Sequence, residues 1–433
     1  MTVLIIAVAV IVFAVLSFTP AIRRSEFWRA TVTPLASIMG SGFLICASLL
    51  ASVVGNLSPL VMAALLGLSW LIGGAIRFNI RCIGDQGDSG GKDPDSSNDA
   101  NGSNQDHRLH QSHRAASWLR GISIEKISHW VLAVAYLISV TYYIKLLAQF
   151  SLDRFGMGQG LPPKILATVV LASIAGVGFA FGLKVIERIE GYAINLNLAM
   201  IAALLAALAV HNFGLWRSGD WQLPDLSGDA DRWTAFRTCL GLLIVVQGFE
   251  TSRFLGSEHS AAVRARTMNA AQTIAAVIYL VFLGLMLVVM TPDQASTDAG
   301  VTAIVTLAAA VAAVLPLMIT IAAVGSQFSA AVADTAGCGG LLASLSDSNW
   351  TDWLTARRSY LLIGGVTIAM VWSVDVLSVI AYASRAFAAF YALQCWIAAR
   401  TAWRAGSKPR GGLYAVLVVV CVAVTVLGKS SGG

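Results

Sequence analysis

The chain has 433 residues, of which 57% are hydrophobic and 12% charged, with a mean hydropathy of +0.74. A water-soluble domain must turn a polar surface outward and cannot conceal that much apolar area, so the composition excludes a soluble protein and defines an integral membrane one. The net charge of +6 is read as loop charge that sets membrane orientation, not as a nucleic-acid footprint.

An apolar run opens the chain at Val3–Phe18, with no basic residue before it and Arg23 and Arg24 after it. A cleavable signal peptide has the reverse polarity, so the run is predicted to be an uncleaved helix with its N-terminus outside. Further runs follow at 32–54, 58–80, 128–151, 163–182, 191–211, 237–256, 268–291, 301–335, 359–377, 378–401 and 411–428. A span takes roughly 20 apolar residues, which predicts an all-α bundle of about 12 transmembrane helices. The odd-numbered connections collect Arg23, Arg24, Arg29, Lys184, Arg188, Arg264, Arg266, Arg357 and Arg358; the even-numbered ones hold few basic residues, among them Arg154, Lys164 and Arg217. That alternation predicts that the odd connections are cytoplasmic. Residues 84–115 are polar and low in complexity, and a disordered cytoplasmic loop is expected there. Its His107, His110 and His113 are read as solvated loop residues rather than a metal site. The six cysteines form no C-x-x-C pair, so neither a metal motif nor a disulfide framework is expected.

Two runs carry an interruption. "PLASIMGSGFLICASLLASVVG" has Gly40, Ser41 and Gly42 in its middle, and "QGFETSRFLGSE" places Gln247, Gly248, Phe249 and Glu250 at the end of an apolar stretch. Setting aside the first and last helices leaves ten, which divide five plus five, and the interruptions fall at corresponding places. Five helices per half would give the halves opposite orientations, an inverted repeat. The predicted organisation is an extra helix and basic linker over 1–30, repeats over 31–215 and 216–402, and a final helix and tail over 403–433. A broken helix frees N–H donors on one piece and carbonyls on the other, and free backbone at membrane depth is tolerated only where it lines a cavity or is buried in protein. The freed N-terminus suits a carboxylate, and the freed carbonyls suit an ammonium or a metal cation. Close helix packing on small residues is the alternative use of Gly40 and Gly42.

These stretches resemble the amino acid–polyamine–organocation (APC) transporter superfamily. "IMGSGFL" is similar to that superfamily's "IGSGIF" break, and "QGFETSRFLGSEHSAAVRARTM" to its sixth core helix and following loop. "FGLKVIERIEGYAINLNLAM" resembles the entry to its fifth core helix, and "GSQFSAAVADTAGCGGL" the end of its eighth. The resemblance implies a LeuT-type fold and secondary transport by alternating access, commonly of amino acids or amines, with a proton or sodium ion as the coupling ion and no other cofactor. It also places Asn197 where some proton-coupled members carry a lysine. Gln327 and Ala336 stand where arginine and aspartate are common, and the usual Asn-Pro before the loop arginine is absent, which marks a divergent branch.

An ionisable group at mid-bilayer costs at least ~2.5–3.5 kcal/mol on insertion scales, so each one is a functional candidate. Glu250 adjoins a break, where it can bind a cationic group, carry a proton or pair with Arg253 or another basic neighbour. Lys145 lies late in the third core helix, poised to neutralise Glu250, to take part in coupling or to snorkel outward. Tyr142 and Tyr143 precede it, and the resemblance makes them candidate site aromatics. Arg385 is expected to have a partner, Glu250 or Asp375, in an outer gate or a helix-to-helix brace. Ser326 and Ser329 are candidate sodium ligands with carbonyls near Ala36 and Met39, although membrane serines commonly bond their own backbone. The function read from the sequence is an ion-coupled permease or exchanger for a small polar solute, an amino acid or amine, in a bacterial inner membrane. A potassium or other inorganic-ion permease and a non-transporting sensor are the alternatives. No catalytic set and no nucleotide-binding motif points to an enzyme.

Overall fold

A computed structural model describes residues 1–40, 42–88, 106–182, 184–226, 228, 231–254, 259–291, 302–345 and 356–429. Along 83–88, 106–123, 184–192, 344–345 and 356 it describes the backbone alone. The helices in chain order are α1 (Thr2–Phe18), α2 (Pro20–Arg24), α3 (Glu26–Gly40), α4 (Cys46–Val54), α5 (Ser58–Asp88), α6 (Asp106–Asp153), α7 (Leu161–Phe181) and α8 (Lys184–Ser218). They continue with α9 (Arg232–Gly241), α10 (Ala261–Leu287), α11 (Ala303–Val311), α12 (Leu315–Leu345), α13 (Ala356–Ser373), α14 (Val376–Arg404) and α15 (Lys408–Leu427).

Eight helical stretches among the described residues are long and apolar enough to cross a membrane. Others of the predicted dozen fall short for identifiable reasons. Helix α1 has 17 residues, and the two interrupted runs are cut into pieces. Exposed Val3, Val10, Ile11, Val15 and Phe18 on α1 are an apolar surface suited to lipid. The run predicted as one span over 301–335 is instead two helices. Helix α11 ends where Ala312 turns extended (φ −162, ψ 138), and Pro316 in the first turn of α12 has no N–H to donate to a continuing ladder. The edges of the predicted 84–115 loop are helical, as α5 reaches Asp88 and α6 starts at Asp106. Its middle, 89–105, lies outside the described residues, as do the side chains of its three histidines. All six cysteines are free.

Helix α6 packs on α12 and α14 at the centre of the bundle. Helix α10 lies against α3 and α5, α13 against α7, α15 against α14, and α1 against α8. Side chains set several helix starts. Asp375 opens α14 by accepting from the Ser378 amide at 2.8 Å, and Asp231 opens α9 by accepting from the Trp233 and Thr234 amides. Each satisfies donors the helix leaves unpaired. Both interrupted segments, α3–α4 and the chain after α9, are buried within this frame, so the breaks face protein rather than lipid.

Candidate functional site: the paired helix breaks

The first break runs from Gly40, where α3 stops, to Cys46, where α4 begins. The Gly42 carbonyl accepts from the Ile45 and Cys46 amides at 3.2 and 3.0 Å, which restarts the helix. The second break is longer. After α9 ends at Gly241, a 3-10 turn spans Leu243–Val246, the chain reverses at Gln247–Gly248, and a second 3-10 turn spans Phe249–Phe254. Glycine is required where the two meet. A Cβ on Gly42 would lie 2.9 Å from Val245 Cγ2, and one on Gly248 would lie 2.6 Å from the carbonyl carbon and Oγ of Ser37. Gly248 also has φ +114, a conformation that other residues adopt only under strain. Each break therefore seats its glycine on the backbone of the other.

Buried backbone groups must find partners, and here other helices supply them. Gln327 on α12 donates to the Gly40 carbonyl at 2.9 Å. Ser384 on α14 accepts from the Ile244 amide at 2.8 Å, and Ser69 on α5 donates to the Val246 carbonyl at 3.1 Å. The Tyr279 hydroxyl on α10 lies 3.0 Å from the Ile38 carbonyl and 2.6 Å from that of Val245, and so touches both breaks.

Glu250 is fully buried. Its Oε2 accepts from the Gly248 amide at 3.0 Å and the Tyr391 hydroxyl at 2.7 Å. Its Oε1 is buried and has no hydrogen-bond partner, and among the described residues no cationic side chain forms an ion pair with it. The Phe249 ring stacks on Tyr391 with centroids 5.1 Å apart. Gln247 donates to the Tyr143 hydroxyl at 2.8 Å, and Tyr142 packs 5.3 Å from Tyr143. A second buried acid, Asp334 on α12, accepts a hydrogen bond from Ser139 on α6. Tyr136 and Tyr143 are each within electrostatic reach of both Glu250 and Asp334. The arrangement is a closed, aromatic-walled acidic site with an unserved acceptor at its centre.

Of the residues singled out from sequence, the structure gathers Gly40, Gly42, Tyr143, Gln247, Gly248, Phe249 and Glu250. Ser41 lies outside the described residues. Lys145 does not neutralise Glu250. Its ammonium donates to the Val371 carbonyl at 3.1 Å and to that of Val374, so it caps the end of α13, where the helix dipole favours a cation. Arg253 does not pair with Glu250 either. It bonds Glu125 on α6 and, at 2.6 Å, Gln394 on α14, while Arg264 donates to its carbonyl. Gln394 also joins Asn79 and Ser128, which knits α5, α6, the second 3-10 turn and α14 together. Arg385 is exposed and donates to the Thr425 carbonyl of α15 at 2.7 Å, reaching neither Glu250 nor Asp375. Asn197 is buried on α8. Ser326 bonds the Ala323 carbonyl of its own helix, and its own carbonyl would lie 3.3 Å from a Cβ on Gly40. Ser329 is buried one turn further along α12. Sequence alone did not single out Tyr391, Asp334, Tyr279 or the bond of Gln327 to the first break. For Asp334 the signal was available, an acid inside an apolar run.

Two reciprocal helix breaks buried at the centre of an all-helical membrane bundle define a LeuT-type transporter fold. Solved transporters share it at low sequence identity. A manganese transporter of Eremococcus coleocola aligns with TM-score 0.55 and 14% identity over 93% of this chain and 88% of that one. A Na+-coupled sialic acid symporter aligns with TM-score 0.51 and 11% identity over 99% and 98%. A profile of APC superfamily transporters matches residues 20–428, and the chain belongs to that superfamily. It is also 33% identical over 425 residues to an uncharacterized protein of Aquifex aeolicus (strain VF5), covering 97% of this chain and 95% of that one.

Proposed function

We propose that the chain is a secondary active transporter for a small polar solute bearing an ammonium group, an amino acid or an amine. The observation that carries this reading is the buried, unpartnered Oε1 of Glu250. A buried acceptor without a donor costs about 1–3 kcal/mol, more if charged, and an ammonium or a proton would relieve it. Tyr391, which donates to the other oxygen of Glu250, and Phe249 stacked on it supply aromatic rings of the kind that attract cations. The halves, read as two inverted five-helix repeats, would rock about this point. Arg253 with Glu125 and Gln394 would fasten the end that the loop charges assign to the cytoplasm. A proton on Glu250, or a sodium ion near Ser326, Ser329 and the first break, would supply the coupling. In this reading the protein is not an enzyme, sits in a bacterial inner membrane and has its N-terminus outside.

The second acid, Asp334, favours one further reading, an inorganic cation as cargo, in line with the manganese transporter among the structural neighbours. Among the described residues no group of three or more His, Cys, Asp or Glu could hold a metal ion, which supports the organic cation first. Reconstitution into liposomes under proton or sodium gradients, with radiolabelled amino acids, amines and manganese, separates the two. Saturable, gradient-dependent uptake of an ammonium-bearing solute, lost in Glu250→Gln, is expected. Uptake of manganese alone would replace the first reading with the second. Binding without any movement of solute would indicate a sensor.

A further inference from the structure

A cavity of about 400 Å³ opens between the last turns of α6, the 158–160 turn, the start of α7, the end of α13 and the start of α14. Small-molecule sites commonly fall in a range of roughly 300–1,000 Å³. No residue of either helix break lines it, so it is separate from the site around Glu250.

Its lining has a definite chemistry. Lys145 is nine-tenths buried and spends two donors on the Val371 and Val374 carbonyls. An ammonium has three, so one remains. Lys164 places a second ammonium in the cavity, 5.9 Å over the ring of Trp372. That indole is fixed by a 3.0 Å bond to Thr168. Gln149 lines the cavity as well. Asp375 also lines the cavity and commits one oxygen to the Ser378 amide. Two ammonium groups with the Gln149 amide and the remaining oxygen of Asp375 beside them fit an oxyanion that carries a hydroxyl or an ammonium close by. Trp372, exposed and in the lining, is of the aromatic type enriched at membrane interfaces.

We infer that this cavity binds a phosphate ester, either a lipid headgroup or a small soluble phosphate, with its phosphate on Lys145 and Lys164 and its neighbouring hydroxyl or ammonium beside Gln149 and Asp375. Lysines serve as point-charge partners for phosphate, and basic pockets between membrane helices hold headgroups.

The full-length protein is tested in two arms. In detergent, glycerol 3-phosphate and phosphoethanolamine are added and thermal shifts recorded. In mixed vesicles of phosphatidylglycerol and phosphatidylethanolamine, lipid retained after gentle extraction is counted by native mass spectrometry. Lys164→Gln and Gln149→Leu leave the α13 cap intact and are the informative variants; Lys145→Met also removes that cap. Loss of one charge-assisted hydrogen bond should weaken binding about tenfold in Lys164→Gln. Retained lipid that falls in both variants identifies a headgroup site, and a thermal shift from the soluble esters that falls in both identifies a soluble phosphate. If neither probe binds the wild type, or if wild type and both variants bind alike, the inference is overturned.

Discussion

The two helix breaks meet inside the bundle but differ in length and in the side chains described at each. At the first, around Gly40 and Gly42, the Gly40 carbonyl is already taken by Gln327. The second spans two 3-10 turns and carries Gln247 and Glu250, one bonded to Tyr143 and the other holding an oxygen that nothing serves. The second segment thus brings polar side chains to the junction. Two breaks that meet need not do the same work. Gly42 at the first break lets Val245 approach closely, as Gly248 at the second lets Ser37.

This inequality can be tested from the largest effect downward. Gly248→Ala should be the most damaging change, because it combines a positive φ with a Cβ 2.6 Å from Ser37. Strain of ~1–3 kcal/mol plus the clash should leave little folded protein, read as monodisperse yield on size-exclusion chromatography. Glu250→Gln should fold normally yet lose about 10–100-fold in solute affinity, the worth of a hydrogen bond to a charged group, measured by uptake or calorimetry. Gly42→Ala meets Val245 at 2.9 Å without a positive φ, so a smaller cost of ~1–3 kcal/mol is expected, visible as a lowered melting temperature. Gln327→Leu should cost ~1–3 kcal/mol by orphaning the Gly40 carbonyl, and should leave the binding constant close to wild type if the first break only shapes the site. Arg385→Ala lies outside the comparison and should stay within about 0.5 kcal/mol with unchanged transport; a large transport defect would restore the gating role expected of it.

Much of this was legible in the sequence where the signal is local. Glycines inside an apolar run announce a break, and an acid beside one announces a site. Signals that depend on direction around a helix were harder. The buried face of α14 follows Ser384, Phe387, Tyr391, Gln394 and Ala398, a stripe at helical spacing. Arg385 lies about 100° round from Ser384, one residue on in a helix of 3.6 residues per turn, so it points toward α15. The same stripe would have named Tyr391 as a site residue. Contacts across long separations left no trace. Nothing near Arg253 points to Glu125, 128 residues earlier, and nothing near Lys145 points to the carbonyl ends of α13. Apolarity decides only that such groups need partners; the packing of the bundle chooses them.

Tyr279 sits between the carbonyls of Ile38 and Val245, yet a phenol owns a single hydrogen. At any instant that hydrogen serves one segment, and a small torsion transfers it to the other. The joint between the two interrupted segments thus has an exchangeable latch. Whichever way the segments part, the phenol can follow one of them and keep its bond.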